Sequence, residues 1–142
     1  MSNTSWFCTD DEEFIKRHIS KEGFIIKAVY KDKIAGYLLI RFPKGADDNL
    51  GSYLNLSDPQ LLNVAHMEST AVLPEFRGMH ILKKLLENAE AYLKINNYKY
   101  YMATVHPDNI FSLNNFLSLG YKIVVTTKKY GGLLRHVLCK TQ

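Results

Sequence analysis

The strongest constraint on the fold is a long amphipathic helix that follows directly on a strand and a tight turn. Residues 64–73, VAHMESTAVL, are typical of a strand that ends at Pro74. In residues 78–95 apolar side chains recur every three or four positions, which predicts a helix with one buried stripe. The stripe consists of Leu82, Leu85, Leu86, Ala89 and Leu93, and the side chains predicted to face water are Lys83, Lys84, Glu87, Glu90 and Lys94. With a further strand over 98–105, this segment predicts a right-handed parallel crossover.

The segments on either side predict further strands and shorter helices. Thr9 and Glu12 have the spacing of a capping box, which predicts a short helix over 9–19. Residues 42–63 are irregular, with Ser57 as the cap of one short helix. The other predicted elements are a hairpin of strands 23–30 and 34–41, a helix over about 109–118, and strands 121–128 and 133–140. This order predicts a single α/β (α+β) domain over residues 1–142, with a sheet of mixed direction.

Composition and charge exclude several classes of protein. The chain of 142 residues is 46% hydrophobic and has no apolar run near the roughly 18 residues that span a membrane. Its N-terminus lacks the layout of a secretory signal, so we expect a cytoplasmic protein. Cys8 and Cys139 are too far apart in sequence for a typical zinc or redox motif, and no metal is predicted. The net charge is +4, but the basic residues are scattered and the nine tyrosines form no stacking motif, so no nucleic-acid partner is predicted.

The turn between the strand and the long helix has the properties of an anion site. The first N–H groups of a helix lack partners within it, and the helix dipole favours negative charge there. Gly78 allows a phosphate to approach the backbone, and Arg77 adds a charge-assisted donor. Taken alone, the turn is a weak signal, and an ordinary helix start beside a solvated arginine is the simpler interpretation.

Two motifs resemble those of a known family. Val72-x-Pro74-Glu75-Phe76-Arg77-Gly78 before the leucine-striped helix is similar to the acetyl-CoA signature of the GNAT N-acetyltransferases. The later segment HPDNIFSLNNFLSLGYKIV is similar to their Asn, short helix and Gly-aromatic strand start. The resemblance covers about residues 23–140. It implies a mostly antiparallel central sheet flanked by helices, acetyl-CoA as co-substrate, and acetyl transfer to a primary amine by direct attack in a ternary complex.

The resemblance also implies a set of cofactor-binding residues. The diphosphate of CoA would lie on the loop of Arg77, Gly78, Met79, His80, Ile81, Leu82 and Lys83. Ala71 and Val72 would bind the pantetheine arm like an added strand, and the Val72 N–H would face the thioester oxygen. Asn109 and Ser112 match positions near the pantetheine and thiol. Phe116 stands where many relatives carry a tyrosine that protonates the leaving thiolate.

The amine must lose a proton before it attacks, because an ammonium of the lysine type has a pKa of about 10.4. Side chains of a strand alternate between faces, so His66, Glu68 and Thr70 are predicted to share one face. The resemblance places the general base at His66 or Glu68, and these are the candidate catalytic residues. A hydrogen-bonded core histidine is the competing interpretation of His66.

Departures from the family pattern leave alternatives open. His80 and Leu82 replace later glycines of the loop, and the usual first strand and helix are not evident, which predicts a bare edge on strand 23–30 and a possible homodimer. With Phe116, these differences suggest an alternative, an acyl-CoA-binding module with little or no catalysis.

The acceptor is predicted to be a small-molecule or protein amine. Residues considered for its pocket are Asp47, Asp48 and Asp58, which could attract a cation, and Arg135 and His136, which could bind a carboxylate or simply belong to an edge strand.

Overall fold

The computed structural model describes residues 22–129 and 131–142, and the backbone of residues 3–8 and 13–19. The strands are β1 (Asn3–Cys8), β2 (Glu13–Ile19), β3 (Gly23–Tyr30), β4 (Lys33–Arg41), β5 (Val64–Val72), β6 (Tyr100–Val105), β7 (Lys122–Lys129) and β8 (Leu133–Thr141). The helices are α1 (Asp58–Leu61), α2 (Ile81–Ile95) and α3 (Ile110–Ser118), and two 3-10 turns lie at Leu50–Leu54 and Pro74–Phe76.

The eight strands form one sheet in the order β1-β2-β3-β4-β5-β6-β8-β7. Neighbouring strands are antiparallel except β5 and β6, which are parallel and joined through α2. The predicted mixed, mostly antiparallel sheet flanked by helices is therefore confirmed.

The core lies where α2 packs on one face of the sheet. The predicted stripe of α2 is confirmed, because each of its five side chains is at most 1% exposed. A second, smaller cluster lies under the 3-10 turn Leu50–Leu54, where Leu50 is buried with Val64, Met102 and Val137. The predicted short helix of the irregular stretch is also confirmed as α1, whose Ser57 cap forms a reciprocal capping box with Gln60.

β5 and β6 separate soon after their pairing begins. Only three residue pairs join them, the last being His66 with Met102, whereas β5 continues to Val72. The strands diverge beyond that pair, and the opening between residues 67–72 of β5 and the end of β6 is here called the β5–β6 cleft.

β5 also carries a β-bulge. Met67 of β5 pairs with Ile40 of β4, and Ser69 pairs with Leu39, which is adjacent to Ile40. Glu68, between Met67 and Ser69, is therefore the extra residue of the bulge. His66 therefore pairs with Arg41 and Thr70 with Leu38, three positions apart on β4. The prediction that His66, Glu68 and Thr70 share one face is wrong for Thr70, because the bulge reverses the alternation.

The helix predicted over 9–19 is wrong. Glu13–Ile19 forms β2 and pairs along its whole length with β3, while residues 9–12 lie outside the described residues. The apolar residues of this segment support a strand as well as a helix, and the hydrogen-bonding edge of β3 decides between them. β3 consequently has no bare edge, which removes the basis on which a homodimer was predicted.

Two details of α2 also differ from the prediction. The helix begins at Ile81, three residues later than predicted, because residues 78–80 form a turn. Glu90 does not face water beside Lys94: its side chain is only 14% exposed and forms an ion pair with Lys140. Tyr121 donates a second hydrogen bond to Glu90 at 2.9 Å. Glu90 therefore connects α2 to β8 through Lys140 and to the residue before β7 through Tyr121.

Candidate active site

The start of α2 presents unpaired backbone amides. Gly78 and His80 both have positive φ, +85° and +59°, and no side chain caps the helix. Among the residues that the structure describes, the amides of Gly78, His80 and residues 81–83 have no acceptor. A Cβ added to Gly78 would meet no atom within 4 Å, so open space adjoins these amides. Such a nest of N–H groups at a helix N-terminus suits a phosphate.

The Arg77 side chain reaches from this turn to α3. Its guanidinium lies 5.3 Å from the centre of the Phe111 ring on α3, at cation–π distance. Both residues line a cavity of about 170 Å³ with Val72, Leu82 and Ser112. Arg77 therefore adds positive charge beside the amides and bridges α2 to α3.

The free edge of β5 supplies backbone groups to the β5–β6 cleft. The Leu73 amide donates to the Ala35 carbonyl of β4 at 2.9 Å. Because amides alternate sides along a strand, the Ala71 amide also points to β4, and those of Thr70 and Val72 point into the cleft. The cleft thus has an edge to which an extended ligand arm could add as a strand.

α3 forms the other wall of the cleft. The Asn109 side chain caps this helix by accepting the Ser112 amide at 3.2 Å. Ser112 is 8% exposed, and Phe116, one turn later, is 2% exposed and packs edge-on against Tyr121. The Tyr121 hydroxyl points to Glu90, and burial, with Glu90 beside it, raises the pKa of Tyr121 well above its ordinary value.

Glu68 lies at the inner end of the cleft within a network of charged groups. The Leu50 amide donates to His66 Nε2 at 3.0 Å, so this nitrogen carries no proton and a neutral ring is protonated on Nδ1. His66 Nδ1 lies 3.4 Å from Glu68 Oε2, and Arg41 Nη1 lies 3.9 Å from Glu68 Oε1. Arg41 also forms a two-pronged salt bridge with Asp48, at 2.7 and 3.0 Å.

This network keeps Glu68 ionised. The hydrogen bond from His66 is the main cause that holds the pKa of Glu68 below its ordinary value, and the charge of Arg41 acts in the same direction against burial. The hydrogen bond from Arg41 likewise lowers the pKa of Asp48. Since the Glu68 side chain is 34% exposed, its carboxylate is both fixed by neighbours and open to a ligand.

Glu68 lines three adjoining cavities. One of about 250 Å³ lies in the β5–β6 cleft and shares Thr70, Asn109 and Ser112 with the cavity at Arg77. A second, of about 350 Å³, extends under the 3-10 turn. A third, of about 530 Å³, lies along the ends of β3 and β4. The groove thus runs from the amides of α2 past Ser112 to the carboxylate of Glu68, where it widens.

Residues 2–121 match the model of the acetyltransferase (GNAT) family. The chain belongs to the GNAT family. No curated protein sequence matches it.

Solved structures similar to this GNAT domain share its fold at low identity. The ribosomal-protein-S18-alanine N-acetyltransferase of Escherichia coli is 14% identical, with 85% of this chain and 69% of that chain covered and a TM-score of 0.63. Nourseothricin acetyltransferase is 14% identical, with 99% and 84% covered and a TM-score of 0.66. The PaiA N-acetyltransferase of Thermoplasma acidophilum, in complex with coenzyme A, is 17% identical, with 83% and 60% covered and a TM-score of 0.61.

The GNAT fold brings most of the residues singled out in the sequence to one groove. The side chains of Ile81 and Leu82 are buried in the core, so these two residues offer only amides, whereas Met79 and His80 are exposed. Ala71 lines the groove although its amide is turned to β4. Of the acidic residues considered for the acceptor pocket, Asp48 joins the network at Glu68, and Asp47 and Asp58 line none of the cavities described above.

The sequence did not predict the roles of two residues that contribute to the site of this GNAT domain. Arg41 lies at the end of β4 and reaches Glu68 because β4 and β5 pair there. Phe111 lies under Arg77 because α3 packs beside the start of α2. No local pattern marks either contact, since the partners are 27 and 34 positions apart. In the described residues no helix is long and apolar enough to cross a membrane, and no group of three or more potential metal ligands is found.

Proposed function

We propose that this GNAT domain is an acetyl-CoA-dependent N-acetyltransferase that moves the acetyl group to a primary amine by direct attack within a ternary complex. The observation that carries the proposal is the continuous groove between the unpaired amides at the start of α2 and the carboxylate of Glu68. One end suits a diphosphate and the other suits a cationic amine, as the two ends of such a reaction require.

Several residues fit the cofactor. The amides of Gly78 and residues 80–83 would hold the diphosphate, with Arg77 as a cationic donor beside them. The edge of β5 at Val72 would bind the pantetheine arm by backbone hydrogen bonds, next to Asn109 and Ser112. When bound, acetyl-CoA supplies a thioester-activated acetyl group. The similar fold of PaiA, solved with coenzyme A, supports this arrangement.

Glu68 is the general base of the proposal. Its ionised carboxylate attracts the ammonium form of the acceptor and takes up one proton, directly or through a water molecule, which frees the nitrogen lone pair for attack. The Val72 amide, not used by β4, is available as a donor to the acetyl oxygen as negative charge develops there.

His66 is a positioning residue in this proposal. Its Nε2 lone pair accepts the Leu50 amide, and its Nδ1 proton faces Glu68, so neither nitrogen can accept a proton from the substrate without breaking a contact. The buried ring instead fixes the orientation and ionisation of Glu68.

The leaving sulfur needs no strong acid. A thiol has an ordinary pKa of about 8.5, so a thiolate is a stable enough leaving group near neutral pH. Phe116 offers no hydroxyl, and the Tyr121 hydroxyl is occupied by Glu90. The Ser112 hydroxyl, buried beside the cleft one helical turn from Phe116, is the donor best placed to hydrogen-bond the sulfur.

The test is free-thiol release from acetyl-CoA across a panel of amines, with Glu68→Gln beside the parent protein. Loss of a general base lowers kcat by about 10²–10⁴-fold. The affinity for CoA, measured by calorimetry, should stay the same. Glu87→Gln, which removes an exposed carboxylate of α2, is the charge-matched control and should have parent activity. CoA binding without amine-dependent thiol release would instead identify an acyl-CoA-binding module.

A further inference from the structure

We propose that the acceptor carries an anionic group, a carboxylate in first place, besides its amine, and that Arg135 of β8 binds that group. The inference rests on the proposed function and specifies its substrate class. Arg135 and Glu68 line the same cavity of about 250 Å³ in the β5–β6 cleft, so a guanidinium and a carboxylate face one space.

The sheet register places Arg135 across the cleft from Glu68. β8 pairs with β6 as far as His136 with Val105, so Arg135 lies one position beyond the last pair. Side chains two apart on a strand share a face, and Val137 packs with Leu50, whose amide binds His66. Arg135 thus lies on the sheet face that also bears His66, the residue whose Nδ1 contacts Glu68.

The cavity wall at Arg135 is rich in donors. The guanidinium donates to the Leu134 carbonyl at 2.8 Å, which helps to fix its orientation. A guanidinium has five donors in a planar fork and binds carboxylates in two-pronged geometry. His106 lines the same cavity; its Nδ1 accepts the Asp108 amide at 3.0 Å, so a neutral ring carries its proton on Nε2 and provides a second donor.

The charges of the cavity argue against a polycationic acceptor. In the described lining of the cavity of about 250 Å³, Glu68 supplies the one carboxylate and Arg135 supplies the guanidinium. An adjoining cavity adds Lys128 and Lys129 to its lining alongside Asp48. A polyamine that extends from Glu68 into either of these two cavities would bring its further ammonium groups close to these cations, and such like-charge contacts are unfavourable. An amine that also carries a carboxylate would match both walls.

The experiment compares acceptors in pairs that differ only in the carboxylate. The panel is a series of ω-amino acids of increasing chain length, from glycine to 6-aminohexanoate, each with the alkylamine that lacks the carboxylate. The length series is needed because β5 and β8 are separated by β6, at about 4.8 Å per strand spacing, and the cleft widens this separation. We expect kcat/KM for the best-fitting amino acid to exceed that of its alkylamine by about 10- to 100-fold, as for a charge-assisted pair.

Variants assign the preference to Arg135. Arg135→Gln should remove the preference by lowering kcat/KM for the amino acids far more than for the alkylamines, while Arg135→Lys should retain part of it. Lys122→Gln, an exposed cation of the same hairpin, should leave the preference intact. A parent protein without any preference would overturn the inference. So would an Arg135→Gln variant whose kcat/KM falls equally for both members of each pair.

A binding measurement separates this inference from the proposed function. If no amine releases thiol, the proposed activity fails. The inference then still holds if calorimetry on the CoA-loaded protein detects the amino acid and Arg135→Gln abolishes that binding. It falls with the activity if no such Arg135-dependent binding is found.

Discussion

Replacing Gly78 by alanine tests the proposed diphosphate site directly. Gly78 has φ +85°, and an added Cβ would meet no protein atom within 4 Å. The folded protein therefore has room for the methyl group, and the structural cost is the left-handed backbone conformation alone. The methyl group would instead occupy the open space beside the amides, which is the space that a diphosphate needs.

The expected magnitudes follow from these two effects. A left-handed conformation costs a non-glycine residue about 1–2 kcal/mol, which lowers Tm by roughly 3–8 °C for a chain of this size. Displacing the phosphate from one amide removes a hydrogen bond to a charged group, about 1.5–3 kcal/mol. The dissociation constant for CoA should therefore rise about ten- to hundredfold.

Gly131→Ala is the matched control. Gly131 lies in the turn between β7 and β8, has φ +79°, and likewise has no atom within 4 Å of an added Cβ. The assay is thermal unfolding of both variants, followed by calorimetric titration with CoA. Both variants should lose similar stability, and only Gly78→Ala should lose affinity. Parent affinity in Gly78→Ala, or an equal loss in both variants, would refute the placement of the diphosphate.

Two further predictions concern the groups behind the site. His66→Leu removes the acceptor of the buried Leu50 amide and should lower the free energy of unfolding by about 1–3 kcal/mol, measured by urea denaturation. It should also raise the pKa of Glu68, so the acidic limb of the kcat/KM profile should move to higher pH; an unmoved limb would contradict the role of His66. Because the folded pKa of Glu68 lies below its unfolded value, Glu68 contributes stability that is lost as pH falls through the folded pKa, and this loss should be smaller in His66→Leu. Tyr121→Phe removes a hydrogen bond to Glu90 and should cost about 1.5–3 kcal/mol of stability while kcat stays unchanged; a large fall in kcat with an unchanged CoA affinity would instead make Tyr121 the proton donor.

The sequence predicted the elements whose signal is local. The apolar stripe of α2, the β3–β4 hairpin and the strand that carries Glu68 are all present, because burial of one helix face or of a whole strand repeats at short, regular intervals along the chain. The turn at Arg77 and Gly78 was also found, since glycine marks a backbone conformation that other residues avoid.

The tertiary structure decided what depends on distant partners. Residues 13–19 became a strand because β3 offered an edge, and Glu90 turned inward because Lys140, 50 positions later, lies beside it. The bulge at Glu68, which sets that carboxylate beside His66 and Arg41, arises from the pairing of β5 with β4 and leaves no mark in the alternation of β5 itself. Hydrophobic periodicity is determined by each residue's near neighbours, whereas register, ion pairs and the walls of a cleft depend on which remote segments meet. For that reason the chain alone indicated which residues could act, and only the folded sheet determined how they are oriented.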